Sequence, residues 1–296
     1  MTHLSWNPKV PEVYQIEAVS RCNLRCPFCP TGLAGGKYVE DGATLMDWDL
    51  FETIVDRDLE GTEFCELQFR GEPTLHKLFD KMVYKLGSKV RVGFSTHGGL
   101  LHKPHVLSAA LRADYITISM EAATKERYEE LRVGGNYERL IENIDLLCKE
   151  RKFLTKPFID LQLIEFEGYQ EHVKLLEEMS TKHLWDINIR TIQDTFQNQY
   201  MKDFVIDSKD LCLNPWLSVS VQCDGDVVPC CMSFGKDIVY GNLKEASLET
   251  IWNESPVVEE FRRMHMEKES IPMCDNCYAR SPTLLHRQLF KRFKDF

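Results

Sequence analysis

Between about residues 10 and 195, six short runs rich in β-branched and aromatic residues alternate with longer amphipathic stretches. This rhythm constrains the fold more than any other feature. The short runs lie at 13–18, 63–69, 90–95, 115–119, 159–164 and 187–191. The amphipathic stretches lie at 48–59, 75–86, 104–112, 125–132, 137–148 and 169–179. Strands separated by helices of this length argue for parallel pairing, with a helix in each crossover. The expected class is α/β, built from repeated βα units around a parallel sheet.

The loop expected after the first strand carries Cys22-Asn23-Leu24-Arg25-Cys26-Pro27-Phe28-Cys29, spaced C-x3-C-x2-C. A [4Fe–4S] cubane takes one cysteine sulfur per iron, so three cysteines leave one iron open to a small molecule. Zinc motifs usually come as two spaced pairs of ligands, and here no fourth ligand stands nearby. A disulfide staple is out of character for 296 residues whose opening Met1–Trp6 shows no charged-then-apolar signal pattern. Eleven cysteines used as metal ligands suit a reducing, cytoplasmic setting. The net charge of −10 argues against a nucleic-acid partner, which would be tracked by a basic surface. No apolar run reaches the length of a bilayer span, so no membrane partner is expected.

The cysteine spacing, the aromatic Phe28 and the Ser20–Cys26 context resemble the signature of the radical S-adenosylmethionine (SAM) enzymes. The resemblance implies a partial (β/α)6 TIM-type barrel, with chemistry at the C-terminal ends of the strands. It implies a cluster on Cys22, Cys26 and Cys29 whose open iron holds SAM, and an electron donor of the flavodoxin or ferredoxin type. Gly71-Glu72-Pro73 resembles the family's Gly-Gly-Glu turn, which receives the SAM amino group, although Arg70 stands where a first glycine is common. Ser95-Thr96-His97-Gly98 ends the third strand, where Ser95 and Thr96 are expected to reach the ribose or carboxylate. His97 replaces the usual asparagine, so that residue's role is not carried over. Ser119 is expected to reach SAM from the fourth strand, or to cap the next turn. Phe28 is expected near the adenine, or in the core. Glu121 shares the side of Ser119 if the strand continues; it either binds substrate or serves as a base, or is a solvated loop acid. Gln162, Glu165 and Arg190 are further lumen candidates, with Arg190 the second residue assigned a catalytic role.

Near 200–208 the βα rhythm stops, 197–211 reads as a connector, and cysteine density rises. Cys212, Gly225 and Cys230 give C-x12-G-x4-C, and Cys274 and Cys277 give C-x2-C. This resembles the twitch domain, a shortened SPASM domain with an auxiliary [4Fe–4S] cluster. The resemblance implies ligands Cys212, Cys230, Cys274 and Cys277, with Cys231 an alternative to Cys230. No cysteine follows Cys277, so one auxiliary cluster is expected, two in all. A four-thiolate zinc site fits the same count. A β-hairpin is expected over 219–228 with an Asp224-Gly225 turn, then a helix over 247–253. Cys65 and Cys148 read as buried small hydrophobes. Expected units are a barrel over 10–200, a small hairpin/helix iron–sulfur domain over 208–280, and a basic helix over 281–296. The apolar stripe of that helix most often packs on its own protein, with a partner or membrane surface as the alternative.

The whole-chain layout is similar to the aminocyclitol dehydrogenases of the family. That similarity implies cleavage of SAM to a 5′-deoxyadenosyl radical and oxidation of a small polyol, sugar or aminocyclitol, with the auxiliary cluster accepting an electron. The alternative is modification of a ribosomal peptide by epimerisation, thioether formation or carbon–carbon crosslinking. The short stretch before Val10 leaves little room for a leader-binding domain.

Overall fold

The computed structural model describes residues 9–36, 44–152, 154–192, 212, 214–233, 238–275 and 277. The expected connector over 197–211 and the expected helix over 281–296 lie outside the described residues.

The elements, in chain order, are β1 Val13–Ile16, α1 Pro30–Leu33, α2 Trp48–Arg57, β2 Phe64–Leu67, α3 Phe79–Gly87, β3 Arg91–Thr96, α4 Pro104–Ala110, β4 Tyr115–Ser119, α5 Lys125–Leu131, α6 Tyr137–Arg151 and β5 Phe158–Ile164. They continue with α7 Tyr169–His183, β6 Asn188–Ile192, α8 Asn214–Leu217, β7 Ser218–Val221, β8 Asp226–Val228, β9 Gly241–Asn242, α9 Leu248–Glu254 and α10 Pro256–Met266. The strands form one sheet in the order β6-β5-β4-β3-β2-β1-β7-β8-β9. Pairs from β6 across to β7 are parallel, and β7-β8-β9 is an antiparallel meander. The sheet is open, as in a partial barrel. The tail hairpin forms where expected, and β7 extends the barrel sheet by pairing with β1, Gln15 opposite Ser220.

Period-two alternation decides which face is which. Tyr14, Ile16, Cys65, Leu67, Val92, Phe94, Ile116, Ile118, Ile159 and Leu161 are buried in one core with the apolar stripes of α2, α3, α4, α6 and α7. The intervening residues face the other way, onto the helix-free inner face. Local signals place the helices. Asp47 caps α2 by accepting from Asp49 N–H, Asn136 caps α6 from Arg139 N–H, and Ser247 caps α9 from Thr250 N–H. α3 starts at Phe79 instead of near 75, because Pro73–Leu75 forms a 3₁₀ turn and His76 Nδ1 accepts the Leu78 N–H. No helix among the described residues is long and apolar enough to cross a membrane.

Candidate functional site

The three cysteines of the first loop sit where β1 leaves the sheet. Backbone bonds pin the loop: Cys22 N–H to Gly36 O at 2.9 Å, Arg25 N–H to Val133 O at 2.8 Å, and Cys29 N–H to Cys26 O at 3.2 Å. The Gly71 turn lies directly against it. A Cβ at Gly71 would stand 2.0 Å from Val19 O and 2.7 Å from Arg21 N, so only glycine allows this approach. Burial, helped by the Glu72 charge, pushes the Cys22 thiol up to about 12; burial also raises Cys26, opposed by Arg132. Such thiols ionise only beside a compensating cation, and a coordinated metal deprotonates its thiol outright. The donor set therefore fits an iron–sulfur group.

Glu72 is a knot between strand ends. Its Oε1 accepts from Thr74 N–H at 3.2 Å and Thr96 Oγ1 at 2.7 Å, and its Oε2 from His97 N–H at 2.9 Å. What the turn offers outward is therefore backbone, not the carboxylate. The Thr96 hydroxyl is likewise spent on Glu72 and on accepting the Gly98 N–H at 3.0 Å. His97 has a job of its own. Its Nδ1 accepts the Gly99 N–H, which puts the proton on Nε2, 2.9 Å from Asn23 Oδ1 in the cysteine loop. The imidazole thus ties the end of β3 to the loop.

Arg132, at the end of α5, is the site residue that sequence reasoning missed. Its Nη1 lies 3.7 Å from Cys26 Sγ, and its guanidinium lies 5.3 Å from the centre of the Phe28 ring. Its Nη2 donates to Glu121 Oε1, while its buried Nε has no partner among the described residues. Burial opposes the charge, yet Glu121 and Cys26 together hold it above its ordinary value. Glu121 is 2% exposed and left-handed, with φ 60°. Its other oxygen accepts the Ile164 N–H at 2.7 Å. Both carboxylate oxygens are thus committed. Phe28 packs on Phe166 at 5.2 Å, inside a small cluster with Leu24, Cys26, Leu131 and Ile164. No motif or period in one sequence links Arg132 to a loop a hundred residues earlier.

The inner face carries aromatic residues at the strand starts, Phe64, Tyr115 and Phe158, and is polar beyond them. Gln15 of β1 stands in register with Glu66 of β2 and Ser220 of β7, and Gln68 follows β2. Ser220 Oγ donates to Gln15 Oε1 at 2.7 Å, and Gln68 Nε2 to Glu66 Oε2 at 2.7 Å. Further along, Ser95, Thr117, Asp160 and Asn188 share one row, and Ser119, Gln162 and Arg190 the next. Arg190 donates to Gln162 and lies 3.5 Å from Asp160 Oδ2. The Thr117 hydroxyl is buried without a partner among the described residues. Glu165 accepts from Thr191 at 2.7 Å, beyond the strand.

In the tail, the charges acting on Cys230 include those of Cys231, Cys212 and Cys277, while Cys274 and Cys277 share a turn closed by Cys277 N–H to Cys274 O at 3.1 Å. Cys231 feels the charge of Cys277 as well, but its thiol is also hydrogen-bonded by the Gln15 carboxamide, and burial followed by the Glu66 charge pushes it up to about 12. Cys223 is buried and its thiol donates to Glu17 O at 3.1 Å. Cys65 is buried in the core, and Cys148 packs at its edge. Among the described residues, no three His, Cys, Asp or Glu side chains close on a point as they would around a single metal ion. A cubane, with one thiolate on each of four irons, sets its ligands around a larger body.

The radical SAM superfamily pattern matches residues 16–176, more than half of the chain, and this protein belongs to that superfamily. Residues 212–278 match the SPASM iron–sulfur cluster-binding domain. Together the two matches imply bound iron–sulfur and SAM. Two relatives align over most of both chains. One is the tungsten-containing aldehyde ferredoxin oxidoreductase cofactor-modifying protein of Pyrococcus furiosus, 24% identical over 90% of this chain and 86% of its own. The other is the S-adenosyl-L-methionine-dependent 2-deoxy-scyllo-inosamine dehydrogenase of Niallia circulans, 22% identical over 91% and 93%. The crystal structure of BtrN in complex with AdoMet and 2-DOIA shares the fold, with a TM-score of 0.58, 19% identity and coverage of 91% and 93%. The expected partial barrel is thereby established, as is an enzyme of the radical SAM class.

Proposed function

We propose that this chain oxidises an alcohol of a small polyol, sugar or aminocyclitol. It does so with one [4Fe–4S] cluster on Cys22, Cys26 and Cys29 and a second on Cys212, Cys230, Cys274 and Cys277. The observation that carries the substrate class is the inner face, whose strand residues Gln15, Glu66, Ser95, Thr117, Asp160, Gln162 and Ser220 offer carboxylates, carboxamides and hydroxyls. Most of these groups pair with one another, Ser220 with Gln15, Gln68 with Glu66, Asn188 with Asp160 and Arg190 with Gln162, while the Thr117 hydroxyl has no partner among the described residues; a substrate rich in hydroxyl or amino groups can join such a lattice of donors and acceptors. Similarity to the 2-deoxy-scyllo-inosamine dehydrogenase supports the same class.

When bound, SAM and the clusters supply a 5′-deoxyadenosyl radical to take the carbinol hydrogen and a sink for the electron released as the ketone forms. The chain's own groups position these partners. Carbonyls of the Gly71–Pro73 turn accept from the SAM amino group. Arg132, held by Glu121, would use its unpartnered Nε to bind the carboxylate of SAM. Phe28 would pack on the adenine, and the inner-face hydroxyls of Ser95 and Ser119 would bind the ribose. Thr96 acts indirectly, by fixing Glu72. Gln15, Glu66 and Gln68 hold substrate hydroxyls, with Glu66 placed to accept the proton lost on oxidation; Arg190 orients Gln162 and Asp160. Reducing equivalents come from a flavodoxin- or ferredoxin-type protein in a reducing cytoplasm.

A test is anaerobic incubation of the reconstituted protein with SAM, dithionite and aminocyclitols deuterated at each carbinol carbon. The expected result is deuterium in 5′-deoxyadenosine, matched by one ketone per SAM cleaved. Absence of transfer from every alcohol, with SAM cleavage stimulated by a peptide instead, would overturn the reading in favour of peptide modification. One observation favours that second reading: the Cys231 thiol meets the polar row at Gln15 and Glu66, where it is placed to return a hydrogen atom to a peptide radical.

A further inference from the structure

Two neighbouring buried donors, one of them within reach of the tail thiols' charges, have nothing to donate to among the described residues. Tyr240, just before β9, is 3% exposed. Its backbone N–H is fixed to Val227 O at 2.7 Å and its carbonyl accepts from Ser255 Oγ at 2.7 Å. Its ring meets Phe261 of α10 edge-on at 5.9 Å and shares a core with Cys274. Yet its hydroxyl has no hydrogen-bond partner among the described residues. The second donor is on the residue after Phe261. Arg262 gives Nε to Pro215 O at 2.9 Å and Nη1 to Trp252 O at 3.3 Å, and its guanidinium covers the Trp252 ring at 4.3 Å. Its Nη2 is buried with no partner among the described residues.

A buried donor with no acceptor calls for an explanation, and two side by side near a proposed anionic group point to that group as the acceptor. Here the group must be an acceptor, and an anionic one suits a guanidinium. The charges of Cys230, Cys274 and Cys212 reach the Tyr240 phenol, which also shares a core with Cys274. A phenol is protonated at neutral pH, so its hydroxyl stands by the tail thiols as a donor. A cubane with four thiolates is anionic and presents sulfur acceptors on every side, so donor and acceptor match.

We infer that the Tyr240 hydroxyl donates a hydrogen bond to the sulfur of the tail cluster and raises its reduction potential, with Arg262 Nη2 as a second donor. The reduced cluster carries one more negative charge than the oxidised one, so a fixed donor stabilises it more. Tyr240 is thus a positioning residue that makes the tail cluster a better electron acceptor. The inference rests on the reading that Cys212, Cys230, Cys274 and Cys277 hold a cluster.

The test is potentiometric titration of the full reconstituted chain, followed by electron paramagnetic resonance, in wild type and Tyr240→Phe. The phenylalanine variant is expected to shift the tail cluster's one-electron reduction equilibrium about tenfold toward the oxidised form, about 59 mV. The first cluster's potential and the iron content are expected to stay as in wild type. Site-specific 3,5-difluorotyrosine at position 240, a stronger donor of nearly the same shape, is expected to move the tail potential the opposite way. It decides the question if the phenylalanine variant loses tail iron. A tail potential unchanged in every iron-replete variant overturns the hydrogen bond while leaving the second cluster in place. A wild-type chain with about four irons removes the cluster itself, and is seen before any variant is made.

Discussion

Arg132→Met is expected to destabilise the protein by about 3–5 kcal/mol, the range for stranding one partner of a buried ion pair. Glu121 would be left with a side chain of 0% exposure and one remaining donor, the Ile164 N–H. That donor cannot neutralise a carboxylate. Glu121 is also held left-handed, a conformation that costs a non-glycine residue about 1–3 kcal/mol and persists only where its surroundings enforce it. Arg132 is one of those surroundings. The double variant Arg132→Met with Glu121→Gln removes the stranded charge, and is expected to recover a large part of the loss. Urea unfolding of the four proteins in a double-mutant cycle measures this. Two single variants each within about 1 kcal/mol of wild type would show that the pair is surface-like, and that Glu121 is held by something else. The same Arg132 variant should lose SAM affinity beyond its loss of stability, since the guanidinium also lies against Cys26 Sγ and the Phe28 ring.

The barrel was legible because its strands are buried on one face against helices, which imposes the apolar spacing on both elements. The six sequence-derived strands fall within two residues of β1 to β6 at either end. α10 and β9 were not expected, although Ser255 followed by Pro256 is a helix-start signal and opens α10. The attachment of β7 to β1 was hidden as well, because pairing between strands two hundred residues apart leaves no local trace. The same limit governs the site. The cysteines and the Gly71 turn announce themselves by spacing, whereas Glu121 and Thr96 stand at strand ends and owe their contacts to partners chosen by folding. A carboxylate at a strand end looks the same in sequence whether it faces a substrate or, as here, an arginine eleven residues further on.

Cys230→Ala is expected to halve the iron, from about eight to about four per chain, while Cys231→Ala keeps it. Both thiols feel the charge of Cys277, but the other groups around them differ. Cys230 lies among Cys231, Cys212 and Cys277, and near Tyr240, on the tail side. Cys231 takes a hydrogen bond from Gln15, a strand residue paired with Glu66 on the inner face. Three cysteines suffice for the first cluster because SAM would close its open iron; the tail would have no such second ligand for a vacated corner, so its cluster is expected to be lost. Without that electron acceptor, ketone formation should cease, while SAM cleavage by the first cluster continues at its uncoupled rate. Iron and sulfide analysis with Mössbauer spectroscopy, alongside product and 5′-deoxyadenosine yields, separates the cases. Iron halved in Cys231→Ala and retained in Cys230→Ala would reverse the assignment. Full iron and intact SAM cleavage in Cys231→Ala, with product lost, would instead make that thiol a hydrogen-atom donor. Hydrogen return by a thiol leaves the substrate at its original oxidation level, so that outcome would replace alcohol oxidation with epimerisation.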